Sequence, residues 1–360
     1  MMHTDVYFRL DASSSTGGGH LSRSLALARC IVEKGASVEF LCVQLDAPYV
    51  EALVSNDYKF TVLHVADGLD AEAKLEADAK ACAGAISDRR QARKILVVDH
   101  YQISRPWELA VRAAVNSIVV IDDLANRRHD CDLLLDQAYG ETGARYLGLI
   151  PAGCVGLFGT RYALLRPEFA KWRRNRGSGT LTGDTDLIVH TFFGSEDVGG
   201  NALRFAPLVL EIKGVREVRV AVSPHFQYMS KLDDLRRHHD GRLTWRVAGA
   251  SMAEHMAGCD IAFGAPGQAT WERACLGLPA VYVAISKNQV QILERLAAEE
   301  FCVFLGIDRA LSDDDFLVGF SRFVSDRRGL AAMQAKSMSV VDGLGSSRVA
   351  DAVLSLGRCQ

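Results

Sequence analysis

Short, nearly continuous Val/Ile/Leu runs alternate with amphipathic stretches along most of this chain. That alternation leaves few folds open. A strand that is apolar on both faces needs helices above and below it, which is the parallel, doubly wound α/β arrangement. Residues 6–10 read as a strand. Residues 20–34 then place Leu21, Leu25, Leu27, Ala28, Ile31 and Val32 near a helical period, Gly35 stops that helix, and residues 38–43 resume as a strand. Further strands are predicted at 60–65, 94–98, 117–122 and 132–135, with helices at 71–90 and 106–114. A basic and then Gly/Ser/Thr-rich stretch at 171–184 lacks an apolar period and reads as a linker. A second series follows, with strands at 187–193, 218–222, 243–247, 260–263, 280–284 and 302–305, and a mostly helical 311–356. The expected architecture is two Rossmann-like α/β domains facing across a cleft, with ligand at the strand C-termini.

Composition excludes several classes. The 360 residues are 49% hydrophobic and 24% charged, as in an ordinary globular protein, and Lys+Arg 41 against Asp+Glu 44 leaves a net charge of -3. No basic surplus remains for nucleic acid. No apolar run approaches the ~20 residues of a membrane helix, and Arg9 and Asp11 interrupt the first apolar stretch, so neither a signal peptide nor a membrane partner is expected and the predicted location is cytoplasmic. Nine cysteines stand singly with no C-x-x-C pair, so free thiols are expected. No His/Asp/Glu spacing matches a metal-site pattern. Neither metal nor cofactor is predicted.

Chemistry concentrates at strand ends. The first strand leads into Asp11, three serines, Thr16 and the run Gly17-Gly18-Gly19-His20. Consecutive glycines before a helix permit close backbone approach and positive φ, and the free N–H groups of a first helical turn favour an anion. The run is neither G-x-G-x-x-G nor a P-loop. His20 would sit at the helix start, and His is the side chain best suited to proton transfer near neutral pH. Asp99-His100-Tyr101 and Asp122-Asp123 close two more strands; either pair could line the same rim or simply cap a helix. In the second half, Gly194-Ser195 and the stretch Gly264 to Thr270 (with Gly267, Gln268 and Ala269) form turns able to present N–H groups to a diphosphate. Glu272, one turn into its helix, could accept hydrogen bonds from two ribose hydroxyls, and Asn288-Gln289 could cap a helix or touch a ligand.

These residues resemble the UDP-sugar hydrolases of pseudaminic acid biosynthesis, which release UDP from UDP-2,4-diacetamido-2,4,6-trideoxy-β-L-altropyranose. The resemblance runs through 9–13, Gly17 to Arg23, 25–28, 99–101, 122–125, the block Tyr162-Ala163-Leu164-Leu165-Arg166-Pro167-Glu168-Phe169, 270–279 and Asn288-Gln289. It implies a fold similar to GT-B glycosyltransferases. Residues 1–172 would carry the sugar and the chemistry, residues 187–345 would hold UDP, and a helix within 346–360 would pack back on the first domain. It further implies His20 as the base for water, with Asp99 and Tyr101 beside it. Asp11, Gly18, Gly19, Arg23, Gly194, Ser195, Gly267, Gln268, Ala269, Thr270, Glu272, Asn288 and Gln289 would contact substrate. The partner implied is a small nucleotide sugar and the protein a monomer, in a pathway that serves flagellin glycosylation. Two turns depart from the family pattern: Phe193 stands where a glycine is usual and is expected to crowd the diphosphate, and Pro266 removes an N–H donor. A glycosyltransferase, with an acceptor hydroxyl in place of water, is the alternative.

Overall fold

The computed structural model describes residues 3–13, 18–87, 92–175, 185–194, 197, 199–223, 226–249 and 251–357. The chain divides into two compact units, one of Met1–Arg166 with Leu344–Gln360 and one of Pro167–Gly343.

The first unit runs β1 (Thr4–Leu10), α1 (Gly19–Glu33), β2 (Ser37–Cys42), α2 (Ala47–Ser55), β3 (Lys59–Val62), α3 (Ala71–Ser87), β4 (Arg93–Asp99), α4 (Arg105–Val111), β5 (Ser117–Ile121), β6 (Leu133–Asp136) and β7 (Val155–Phe158). Its seven strands are parallel in the order β3-β2-β1-β4-β5-β6-β7. Alternate side chains of β1 explain the two layers. Val6, Phe8 and Leu10 join Leu27, Ala28 and Ile31 of α1 on one face, while Tyr7 joins Leu96, Val98 and the α3–α4 side chains Cys82, Ile86, Trp107 and Val111 on the other. The last helix of the chain belongs here: Val349, Ala350, Val353 and Leu354 complete the α1 side of the core. Arg93 ties the end of that helix down, donating to the carbonyls of Leu354 (2.8 Å) and Leu356 (2.7 Å), and Ser346 Oγ donates to Leu165 O at 2.7 Å.

The second unit runs α5 (Pro167–Asn175), β8 (Leu187–Phe192), α6 (Asn201–Glu211), β9 (Val215–Val222), α7 (Met229–His238), β10 (Leu243–Val247), α8 (Met252–Ala257), β11 (Ile261–Gly264), α9 (Gln268–Cys275), β12 (Ala280–Ala284), α10 (Val290–Ala298), β13 (Val303–Ile307), α11 (Asp313–Ser325) and α12 (Arg327–Val340); the final helix of the first unit is α13 (Gly345–Ser355). The six parallel strands lie in the order β10-β9-β8-β11-β12-β13. One face packs an aromatic cluster in which Phe205, Phe263, Phe316 and Phe320 meet at centroid distances of 4.8–5.6 Å.

The stretch read as a linker departs from expectation. Its basic beginning, through Asn175, is the second half of α5, a helix that starts with Pro at its first position and ends with Arg173 and Arg174 in the last turn, where cations suit the helix dipole. Residues 176–184 lie outside the described part. Two elements gave no readable signal: the edge strand β7, of which only Leu157 is buried, and α2, where Leu53 and Tyr49 alone turn inward. All eight described cysteines are free thiols, seven of them buried; Cys359 lies outside the described residues.

Candidate active site

In each unit the strand order reverses at one place, and there the connections leave in opposite directions and open a crevice at the strand C-termini. In the first unit this switch point lies between β1 and β4, whose last residues, Leu10 and Asp99, pair in register. The turn after β1 delivers His20 as the second residue of α1, and β4 ends on Asp99. Gly18 stands before that helix and Gly19 opens it; a Cβ on Gly19 would meet nothing within 4 Å, while residues 14–17, including Gly17, lie outside the described part.

His20 Nδ1 sits 2.7 Å from Asp99 Oδ1 and 3.0 Å from the Asp99 carbonyl oxygen. Both oxygens can only accept, so Nδ1 carries the proton and the neutral ring presents a bare Nε2. Nε2 has no hydrogen-bond partner among the described residues. The ring packs edge-on against Tyr101 with centroids 4.6 Å apart. Burial pushes the His20 pKa down, but the Asp99 carboxylate more than offsets it and the pKa ends above its ordinary value, despite the nearby Arg23. The Asp99 carboxyl is held well below the usual range: burial opposes its charge, and Arg23 and then His20 outweigh burial. Arg23 grips Asp99 with two bonds, Nε to Oδ2 at 2.8 Å and Nη2 to Oδ1 at 2.5 Å, and reaches Asp123 with Nη1 at 3.1 Å. Ser24 Oγ adds a longer contact to Asp99 at 3.4 Å. Tyr101 is 48% exposed, and its phenol is pushed up to about 12, by burial of part of the ring and by the Asp123 carboxylate, so it stays protonated.

The resulting chemistry is that of an oriented imidazole. A carboxylate fixes the tautomer and stabilises the cation that forms when Nε2 takes a proton, and a buried guanidinium fixes the carboxylate. Arg23, read from sequence as a substrate contact, has its guanidinium spent on two carboxylates. Asp11 is likewise engaged: it accepts from Arg9, from the backbone N–H groups of Val43 (2.8 Å) and Gln44 (3.0 Å), and lies 3.2 Å from His100 Nε2. Arg9 is 1% exposed and also forks onto Asp78 of α3 at 3.0 and 2.5 Å. This cluster holds the β1 and β2 ends that frame the turn. Arg9→Met is expected to cost about 3–5 kcal/mol, because it leaves two enclosed carboxylates without their cation. Urea unfolding measures it, and Arg9→Met with Asp78→Leu should recover part of the loss. Ser24 and Asp78 escaped sequence reading; Asp123 was placed only at the rim and Arg9 only as a charge in the first apolar stretch, neither with a partner. An arginine inside the otherwise apolar 6–10 strand was the visible clue, since such a residue is buried only with a partner.

In the second unit the switch point lies between β8 and β11, and both turns named from sequence are there. After β8, Gly194 has φ +94° and open space where a Cβ would stand; Ser195 lies outside the described residues. Phe193 does not crowd the turn as expected. Its ring is 1% exposed and turned into the aromatic cluster, 5.2 Å from Phe263 and 6.0 Å from Phe205. At the end of β11, Gly264 lies at φ +144°, and a Cβ there would come within 1.9 Å of the Phe192 carbonyl oxygen. Arg273, fully buried and given no role from sequence, holds the turns together: Nη1 bonds Ala265 O at 3.0 Å, and Nη2 bonds Phe192 O at 2.8 Å. Gly267 adopts φ +122° and ψ -150° just before α9, a region essentially reserved for glycine. Gln268 is half-buried, while Ala269, Thr270 and Glu272 are buried in α9. Asn288 is exposed and accepts from Ser286 Oγ at 2.6 Å; Gln289 accepts from Ile285 N at 2.9 Å and so closes its own loop.

Gly264→Ala is expected to destabilise the protein by roughly 3 kcal/mol, since strain and overlap with backbone coincide. Gly267→Ala, with no atom near its Cβ, should show only the ~1–3 kcal/mol of backbone strain. Thermal unfolding separates the two variants.

No family model matches the chain. A UDP-2,4-diacetamido-2,4,6-trideoxy-beta-L-altropyranose hydrolase of Campylobacter jejuni is 26% identical over 240 residues, 65% of this chain and 75% of that protein. Among solved structures, Acinetobacter baumannii MurG superposes with a TM-score of 0.68 at 16% identity, covering 98% of this chain and 100% of that one. The calicheamicin glycosyltransferase CalG4 gives 0.61 at 15% identity, covering 99% of each. The chain therefore has the two-Rossmann fold of the GT-B glycosyltransferases, and the resemblance to the UDP-sugar hydrolases carried by its motifs extends over 240 aligned residues.

Proposed function

We propose that this protein is a nucleotide-sugar hydrolase that releases UDP and free sugar from a UDP-linked 2,4-diacetamido-2,4,6-trideoxy sugar, a step toward pseudaminic acid. The observation that carries this reading is the His20–Asp99 pair, with Nδ1 committed to Asp99 and Nε2 unengaged among the described residues. Nε2 takes a proton from water as the water oxygen attacks the anomeric carbon. The bond from that carbon to the UDP oxygen breaks, and the configuration there inverts. The leaving diphosphate gains charge, which N–H groups of the Gly194 and Gly267 to Thr270 turns would meet. Glu272 is the candidate for the ribose hydroxyls, and Asn288 for a further contact. The similarity to the Campylobacter hydrolase supports the reaction class. No described helix is long and apolar enough to cross a membrane, and we propose a cytoplasmic monomer acting on a dissolved substrate.

The GT-B relatives make transfer to a sugar acceptor the competing reading, and the same base would serve it. Incubating the protein with the UDP-sugar alone decides. UDP and free sugar of inverted anomeric configuration, followed by NMR, are expected without any acceptor. UDP release that appears only when an acceptor glycan is added would establish transfer instead. UDP should also raise the melting temperature, by the mass action of a ligand that binds only the folded state; no shift at millimolar UDP would remove the nucleotide assignment.

A further inference from the structure

The second unit contains a polar cluster that the proposed chemistry does not use. His190 lies in the middle of β8, in register with Ala262 of β11 and Arg219 of β9. It is 0% exposed, and neither ring nitrogen has a hydrogen-bond partner among the described residues. A neutral imidazole has one donor and one acceptor, and leaving both unmet in an interior costs the full desolvation of each. Buried polar atoms without a partner call for a missing water or ion. The neighbours show which. His255 of α8 stacks edge-on against His190 with centroids 5.2 Å apart, and its own Nδ1 is also buried without a partner among the described residues. One turn further on, Cys259 brings its Sγ to the same place, close to the His255 carbonyl oxygen at 3.3 Å. One ligand atom from each of the three residues lies within 4.8 Å of the others, and all three residues are buried.

We propose that His190, His255 and Cys259 form a three-ligand site for one zinc-class transition-metal ion, with a solvent molecule as fourth ligand, that fastens α8 to the strand leading into the Gly194 turn. Two imidazole nitrogens and a thiolate are the borderline-soft donor set such ions select. Ligands at about 2.0–2.3 Å from one ion stand about 3.3–3.7 Å apart, so the cluster needs to draw in by about an ångström. Cys259 follows the last turn of α8, where a χ1 rotation moves Sγ without disturbing the sheet. Binding converts the thiol to thiolate and releases its proton to solvent. Arg219, which interacts electrostatically with Cys259, favours the thiolate; Arg273 near His190 and Arg246 near His255 oppose a dication, and the thiolate offsets part of that repulsion.

The untagged protein, purified from zinc-supplemented culture without chelators, should hold close to one zinc per chain by inductively coupled plasma mass spectrometry. Cys259→Ser and His255→Gln should each lower that at least fivefold while keeping the circular dichroism of the wild type. Cobalt added to stripped protein should give the near-ultraviolet charge-transfer absorption of a cobalt–thiolate bond, absent in Cys259→Ser. Should either variant fail to fold, the cobalt spectrum of the wild type decides alone. Wild-type protein that binds neither zinc nor cobalt, or variants that hold zinc as the wild type does, would overturn the site. Because UDP release depends on His20 in the other unit, the zinc result stands apart from the hydrolase assay.

Discussion

His20→Ala is expected to lower kcat by about 10²–10⁴, the usual worth of a general base, with the UDP dissociation constant unchanged. The reasoning starts at Nδ1. Its two neighbours, Asp99 Oδ1 and the Asp99 carbonyl oxygen, both only accept, so the proton is fixed on that side and Nε2 is left to receive another. Removing the ring removes the receiver but leaves Arg23 on Asp99, so the local ion pair survives and the fold with it. UDP affinity is the control, since the nucleotide is assigned to turns of the other unit. A variant that keeps its turnover within threefold would dismiss His20 as the base. One that loses UDP affinity in parallel with turnover would make His20 a binding residue.

The sequence revealed the scaffold more fully than the site. Strands such as 117–122 and 280–284 were legible because burial on both faces writes an unbroken apolar run, and α1 because one buried face writes a helical period. β7, with one buried side chain, and α2, with two, wrote nothing, while β3 and β13 were legible from their apolar runs with no side chain fully buried. At the site, Asp99 stood out because it ends a readable strand, and His20 because it opens a readable helix behind three glycines. What could not be read was the direction each side chain takes. Arg23, named from sequence as a substrate contact, clamps Asp99. Asp11, named likewise, holds Arg9 and two backbone N–H groups. Phe193 looked like an obstruction and is core. The His190–His255–Cys259 cluster was invisible for a related reason: sheet register and helix packing bring the strand histidine to the other two, and spacing along the chain carries no trace of that.

Asp99→Asn separates the role of the carboxylate from that of its shape. Asparagine keeps the volume but can turn its amide N–H₂ toward His20, which then presents an acceptor at Nδ1 and carries the proton on Nε2, the wrong nitrogen for a base. A loss of kcat of up to about 10⁴ is expected, as for the corresponding change in a His–Asp pair. The pH profile gives the sign. Wild-type activity requires neutral His20 and rises with pH through its raised pKa; without the carboxylate that pKa falls, so the acid limb of the variant moves to lower pH while the plateau drops. Stability changes by a separate route. Asp99 has a depressed folded pKa, so its contribution is fully present above the unfolded value of about 3.9 and is lost as pH falls toward the folded value. His20 has a raised pKa, so its contribution is present below the ordinary value and is lost as pH rises through the folded one. The variant leaves Arg23 buried with one carboxylate partner fewer, at a cost of about 3–5 kcal/mol near neutral pH, and its stability should fall less steeply on acidification than that of the wild type. A variant with lowered stability but an unmoved acid limb and unchanged kcat would reduce Asp99 to an anchor for Arg23, and His20 would then need another group to set its tautomer.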